Sequence, residues 1–180
     1  MISNGVFMDM TKSTLKIVCD AGPIIHLDEL DCLNLLNDFH EILIGPTVKN
    51  EIQRNRKNIF SRVRLQLKEV TLKIPADPTI LTMCRAFLLD AGEIESLAII
   101  EKEPQALFLT DDAAARLVVE RMGFKVHGTI GILLRSIRRR QMEPADVLRI
   151  LESVPLKSTL FIKPSLLEEI KRKVRNEFNL

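Results

Sequence analysis

At 180 residues, 46% apolar and 28% charged, the chain has the size and balance of one soluble globular domain with a substantial core. A formal net charge of +2 gives no overall bias toward an acidic or a basic partner, so any such bias must be local. Three scattered cysteines, no apolar leader and no stretch near the ~18 apolar residues of a membrane span argue against a disulfide framework or an integral membrane protein. A cytoplasmic protein without membrane contact is the expectation.

Residues 1–14 lack a sustained period and read as a loose leader. Lys16–Cys19, "KIVC", reads as a short strand ending at Asp20. Two short helical pieces follow within "IIHLDELDCLNLLNDF", and Glu41–Ile44, "EILI", is the second strand, closed by Gly45 and Pro46. Thr47 is placed to cap the helix that carries Val48, Glu51 and Ile52. The stretch from Gln53 to Lys68 can continue helically, with Ile59, Val63 and Leu67 on one face, and "VTLKI" before Pro75 reads as a further strand. Asp77–Leu89 reads as helix, and a turn at Asp90–Gly92 precedes the apolar helix "EIESLAIIEK".

The strand "ALFL" comes next, then the helix Ala113–Met122, the strand "FKVH" and the helix that Thr129 opens. Glu143–Leu151 and Ser165–Phe178 are the last helices, the second with Leu166, Leu167, Ile170 and Val174 on one face. Near-continuous apolar strands alternating with helices predict an α/β fold in three α/β/α layers around a mostly parallel sheet. The organisation expected is a main domain over 15–141 and a helical extension over 142–180, packed on that domain or at a dimer interface.

Ligands of an open parallel sheet gather beyond the C-terminal ends of its strands. Asp20 directly follows the first strand, and Asp111 and Asp112 follow "ALFLT". Glu51 lies about one turn into the helix after the second strand, and Glu93 opens the helix before "ALFL". Each has a purely structural reading: a helix cap, a dipole partner worth about 0.3–1 kcal/mol, or a surface residue. Together they place acids on one edge, where carboxylates repel unless a cation is shared. An all-oxygen shell suits Mg²⁺ or Mn²⁺.

Other chemistries find less support. His26, His40 and His127 are isolated in sequence and form no zinc motif, and no phosphate-binding glycine loop is present. Ser96 lies within an apolar helix and lacks a nucleophile elbow. Two basic runs, Arg54 to Arg64 and Arg138–Arg140, neutralise phosphates or form solvated helix faces, the second being the commoner case. With no tryptophan or tyrosine, a broad platform for stacking single-stranded bases is disfavoured.

The segments "VCDAGPIIHL", "GPTVKNEI", "GEIESLAI" and "LFLTDDAAARLVVERMGFKVHGTIGILL", in that order over about residues 16–138, resemble the PIN-domain superfamily. They are most similar to its prokaryotic VapC-like branch of small toxin-like ribonucleases. That resemblance implies a metal-dependent ribonuclease, with an antitoxin protein as partner and a homodimeric state. By motif, Asp20, Glu51, Glu93 and Asp111 become the catalytic acids, with Asp20, Glu93, Asp111 and Asp112 as candidate Mg²⁺ or Mn²⁺ ligands. Asp111 and Asp112 are alternatives for the last acid. Thr110 matches the small hydroxyl residue beside it, and Arg54, Arg56, Arg116 and Thr110 are candidates for holding RNA substrate. The chain departs from the pattern at Gly22, where many relatives carry serine or asparagine, and at Ala115–Arg116, in place of an aspartate–phenylalanine pair. Those departures support the alternative of a catalytically inactive, protein-binding PIN-like module. An acid-lined phosphatase or DNA nuclease is the third reading.

Overall fold

The structure, a computed structural model, describes residues 14–62 and 64–180. The expected leader, apart from Thr14, and the expected helical position of Val63 lie outside the described residues. In chain order the elements are β1 (Lys16–Cys19), α1 (Ala21–Glu29), a 3-10 segment (Leu33–Asp38), β2 (Glu41–Ile44), α2 (Pro46–Asn55), α3 (Ile59–Arg62) and β3 (Leu67–Glu69). They continue with α4 (Pro78–Ala86), α5 (Ala91–Lys102), β4 (Leu107–Leu109), α6 (Ala113–Arg121), β5 (Val126–His127), α7 (Thr129–Arg138), α8 (Pro144–Lys157) and α9 (Pro164–Phe178).

The strands form one parallel sheet in the order β3-β2-β1-β4-β5. Side chains alternate across a strand, and that period of two divides the apolar runs between two cores. Ile17, Cys19, Ile42, Ile44, Leu107 and Leu109 pack with α1, α2, α7, α8 and α9. Val18, Leu43 and Phe108 point the other way and pack with α4, α5 and α6. The result is the three-layer α/β/α architecture expected, with a central sheet covered on both faces.

The apolar face of α9 contributes Leu167 and Val174, both buried, to the same core as Ile17 of β1. Full burial of such a side chain contributes about 1.5–3 kcal/mol. Val147, Leu151 and Val154 of α8 join it there, and α8 continues beyond the expected Leu151 to Lys157, through Pro155 in its last turns.

Four local expectations are corrected. The edge strand is Leu67–Glu69 rather than "VTLKI", because backbone pairing with β2 fixes it: Ile42 N–H donates to Gln66 O and Val70 N–H donates to Ile44 O. Lys68 and Glu69 of that edge pair with Glu41 and Lys49, at 3.7 and 2.7 Å. The helix does not run on from Gln53 to Lys68, since α2 ends at Asn55 and Leu67 is in a strand. Thr47 does not cap α2; Gly45 is the cap residue and Thr47 sits in the first turn. Helix α5 begins at Ala91 rather than Glu93, because Asp90 caps it.

Candidate functional site

Strand β1 lies between β2 and β4, so the chain leaves it in one direction for β2 and β3 and later in the other for β4 and β5. The crevice at such a reversal opens at the C-terminal strand ends. There the Asp20 N–H donates to Leu109 O at 2.9 Å, and the Thr110 N–H donates to His127 O at 2.9 Å. These bonds bring Asp20 beside the Thr110–Asp112 segment.

Asp20 caps α1, its Oδ1 accepting from Ala21 N–H at 2.8 Å. Its Oδ2 accepts from the Thr110 hydroxyl at 3.2 Å, and that hydroxyl accepts from Asp112 N–H at 3.1 Å. Thr110 is fully buried. Its hydroxyl therefore ties the two acidic segments together, rather than standing open to a substrate.

Helices α2 and α5 supply the other acids. Asp90 and Glu93 form a capping box: Glu93 N–H donates to Asp90 Oδ1 at 2.9 Å and Asp90 N–H donates to Glu93 Oε2 at 2.8 Å. Glu51 Oε2 lies 3.8 Å from the place a Cβ on Gly92 would take, so its carboxylate borders the start of α5. Asp112 caps α6, its Oδ1 accepting from Ala114 and Ala115 N–H at 2.7 and 2.8 Å.

These carboxylates feel one another. Burial, then the charges of Glu51 and Asp90, hold the Asp20 carboxyl up at about 6. Burial, then Asp112, Asp90 and Asp20, hold Glu93 up at about 7. Burial and Asp90 raise Glu51 as well, against the opposing charge of Arg54. Asp20, Glu51 and Glu93 are thus each raised by at least one other carboxylate of this edge, Asp90 being common to all three.

Asp111 is directed elsewhere. Its Oδ2 meets His26 Nδ1 at 2.8 Å and accepts from the Thr129 hydroxyl at 2.6 Å, while Oδ1 accepts from Thr129 N–H at 2.8 Å. The side chain thus joins α1 to the first turn of α7. Gly128 makes this possible, because a Cβ there would lie 2.4 Å from Asp111 Oδ1. His26, isolated in sequence, is not isolated in space.

Glu95 does what Thr47 was expected to do. It is buried, and its carboxylate accepts from Thr47 N–H at 2.9 Å and from the Thr47 hydroxyl at 3.4 Å, closing the N-terminus of α2 from a neighbouring helix. A Cβ on Gly45 would fall 1.9 Å from Glu95 Oε2, so a glycine is needed at that close approach.

The candidate arginines diverge. Arg56 Nε donates to Asp28 at 2.6 Å, and Asp28 is buried, so this guanidinium serves an ion pair between α2 and α1. Arg116 donates to Thr110 O at 3.3 Å and lies 3.9 Å from Glu120, at the rim of the acidic edge. Arg54 is exposed close to Glu51. Of the second basic run, Arg139 is bound to half-buried Asp38, together with Arg135, which also stacks 4.6 Å from the Phe39 ring centre.

The donor chemistry of the edge fits a hard divalent cation: oxygen-only groups whose charge is raised in cost by burial and by one another. Among the described residues, however, no three carboxylate, histidine or cysteine side chains converge as a ready-made metal site. The oxygens of Asp20, Glu93 and Asp112 are partly engaged in local caps. Cys19, Cys32 and Cys84 are free and buried. No helix among the described residues is long and apolar enough to cross a membrane.

A parallel α/β/α domain with acids near its topological switch point is consistent with nuclease-like function. A family model described as PIN domain matches residues 16–176, and the chain belongs to that family. The match establishes the superfamily rather than the VapC-like branch in particular. No curated protein matches the chain.

Asp90 was placed in a turn and not counted among the acids, although Asp-x-x-Glu ahead of an apolar run is a legible capping signal. Glu95 and His26 left no such trace, since their partners are 48 and 85 residues away.

Proposed function

We propose that the chain is a metal-dependent ribonuclease whose acidic edge is built by Asp20, Glu51, Glu93 and Asp112, and that it serves as the toxin of a toxin–antitoxin pair. The observation that carries the nuclease reading is the placement of Asp20 and Asp112 side by side beyond the C-terminal ends of β1 and β4, joined through the Thr110 hydroxyl, with Glu51 and Glu93 close enough to share in the mutual raising of these carboxyls. The toxin assignment rests on the likeness of the sequence to the VapC-like branch.

Asp20, Glu93 and Asp112 would hold Mg²⁺ or Mn²⁺, and Glu51 would orient a water. A bound divalent ion supplies Lewis-acid stabilisation of the charge that develops on a phosphodiester under in-line attack. The chain's own part is positional. Thr110 fixes the spacing of the first and last acids, Asp90 holds Glu93 at the start of α5, and Glu95 holds the helix that carries Glu51. Asp111 anchors α1 and α7 instead of serving as a ligand. Arg116 and Arg54, at the rim, would position substrate phosphates without reading sequence.

A second reading has its own support. Among the described residues no three donors converge in place, and Glu93 Oε2 is spent on a backbone N–H, as in a module that has kept the fold for protein binding. Calorimetry of Mn²⁺ with the parent and with Asp20→Asn separates the two. Saturable binding that the substitution removes, followed by Mn²⁺-dependent cleavage of RNA but not of DNA or an aryl phosphate, supports the ribonuclease. Absence of binding in both proteins leaves the binding module.

A further inference from the structure

Asp111 holds His26 by one ring nitrogen and leaves the other free. His26 Nδ1 lies 2.8 Å from Asp111 Oδ2, and that carboxylate also accepts from the N–H and the hydroxyl of Thr129. A carboxylate is an acceptor only, so Nδ1 carries the hydrogen of this pair, and Nε2 faces away from it. Nε2 has no hydrogen-bond partner among the described residues. Nor is it sealed in the core, as the Ser96 hydroxyl is. The acids of its own helix are taken: Asp28 by Arg56, and Glu29 by Ser158 and Thr159. A strut between α1 and α7 needs one ring nitrogen, so the second is unused by the fold.

The ring lies close to the acidic edge. Its Cε1 is 3.6 Å from the point a Cβ on Gly22 would take, which puts the imidazole over the first turn of α1, the helix that Asp20 caps. On the opposite oxygen of Asp111 stands Arg116, whose Nη2 borders the bare face of Gly128 at 3.2 Å and donates to Thr110 O. Its other terminal nitrogen has only a long contact with Glu120, at 3.9 Å, and the side chain is partly exposed. An imidazole and a guanidinium thus flank one aspartate, next in the chain to Asp112. Donors so placed suit an anion that runs alongside the acids without entering them. An acidic peptide has no use for the acids themselves. A phosphodiester strand has one phosphate for the reacting edge and others for the donors beside it.

We propose that His26 contacts the substrate: oriented by Asp111, its Nε2–H donates to a non-bridging oxygen of an RNA phosphate next to the scissile one, with Arg116 as the second donor. No bond is made or broken at the ring. The proposal deepens the ribonuclease reading and rests on it. The test follows the imidazole NMR signals of the full chain as oligouridine is added in chelated buffer, beside Mn²⁺-dependent cleavage of the same RNA. The expected result is a saturable shift of the His26 ring, with His40, at the opposite ends of the strands, unmoved. His26→Gln, which still has a donor for Asp111, should weaken binding about tenfold and flatten the slope of log affinity against log salt by about 0.7. In cleavage it should raise KM about tenfold and leave kcat within about twofold. Neither the salt slope nor KM alone would move if His26 were only a strut. Should the variant fail to fold, the ring titration of the parent decides alone. Cleavage with an unmoved His26 ring overturns this inference and leaves the nuclease standing. A moved ring without cleavage supports the contact and removes the nuclease. Neither binding nor cleavage overturns both, and inorganic phosphate moving the ring at the same concentration overturns the strand contact.

Discussion

Asp20 carries a charge its surroundings resist, and removing that charge has a calculable effect. The carboxyl is raised from an ordinary 3.8 to about 6 by burial and by Glu51 and Asp90. The folded state therefore binds this proton more tightly than the unfolded chain, and the ionised group costs stability above the folded value. At about 1.36 kcal/mol per unit, the cost is about 3 kcal/mol near pH 8 and about 1 kcal/mol near pH 4.5.

Asparagine keeps the acceptor for Ala21 N–H, while its NH2 reverses the bond with the Thr110 hydroxyl, so Asp20→Asn removes the charge at the cost of about 1 kcal/mol for that hydroxyl's lost acceptor, which sets the lower end of the range below. Urea unfolding in chelated buffer should show the variant more stable than the parent by about 2–3 kcal/mol near pH 8. The advantage should shrink to about 1 kcal/mol or less near pH 4.5. The parent itself should gain stability as the pH falls through that window. A variant no more stable than the parent at the higher pH, or an advantage that ignores pH, would refute the shared-charge account of this edge.

Three further outcomes follow from the same geometry. Glu93, held at about 7, should bind Mn²⁺ in competition with a proton. Calorimetric affinity should therefore fall as the pH drops through neutrality, and a flat profile from acid to alkaline pH would remove Glu93 from the ligand set. Asp111→Ala should cost about 3 kcal/mol, since His26 and both donors of Thr129 lose a charged acceptor, whereas Asp112→Ala should cost about 1 kcal/mol, the worth of a helix cap. Denaturation midpoints compare the two, and only the second should weaken Mn²⁺ binding. Gly45→Ala should destabilise by about 2 kcal/mol or more by displacing Glu95, while Gly22→Ala, whose nearest neighbour would be 3.6 Å away, should stay within about 1 kcal/mol of the parent in thermal unfolding.

Strands β1, β2 and β4 could be read because they are buried on both faces and so are apolar at every position after the charged first residue of β1 and β2. Strand β3 could not: it is an edge strand of half-buried Leu67 and two exposed charged residues, and only its ladder with β2 tells it from the more apolar run that follows. Asp20 was legible as the first acid after a strand. The division of labour between Asp111 and Asp112 was not, because it is decided by His26 and Thr129, which no local pattern connects to them. The helix carrying Val48, Glu51 and Ile52 was legible, but its cap was not, since the group that closes it comes from α5, and neither was its end at Asn55.

The Gly45–Glu95 contact also constrains the order in which this protein can change. While Glu95 reaches Thr47, any side chain at 45 collides with its carboxylate. Once a shorter residue replaces Glu95, position 45 is released. The two sites are therefore open to drift in one sequence of steps and closed in the other. Either change gives up the closure of the helix bearing Glu51, but only a side chain at 45 that arrives first also collides with the carboxylate, so position 45 is free to vary only after the acid at 95 is gone.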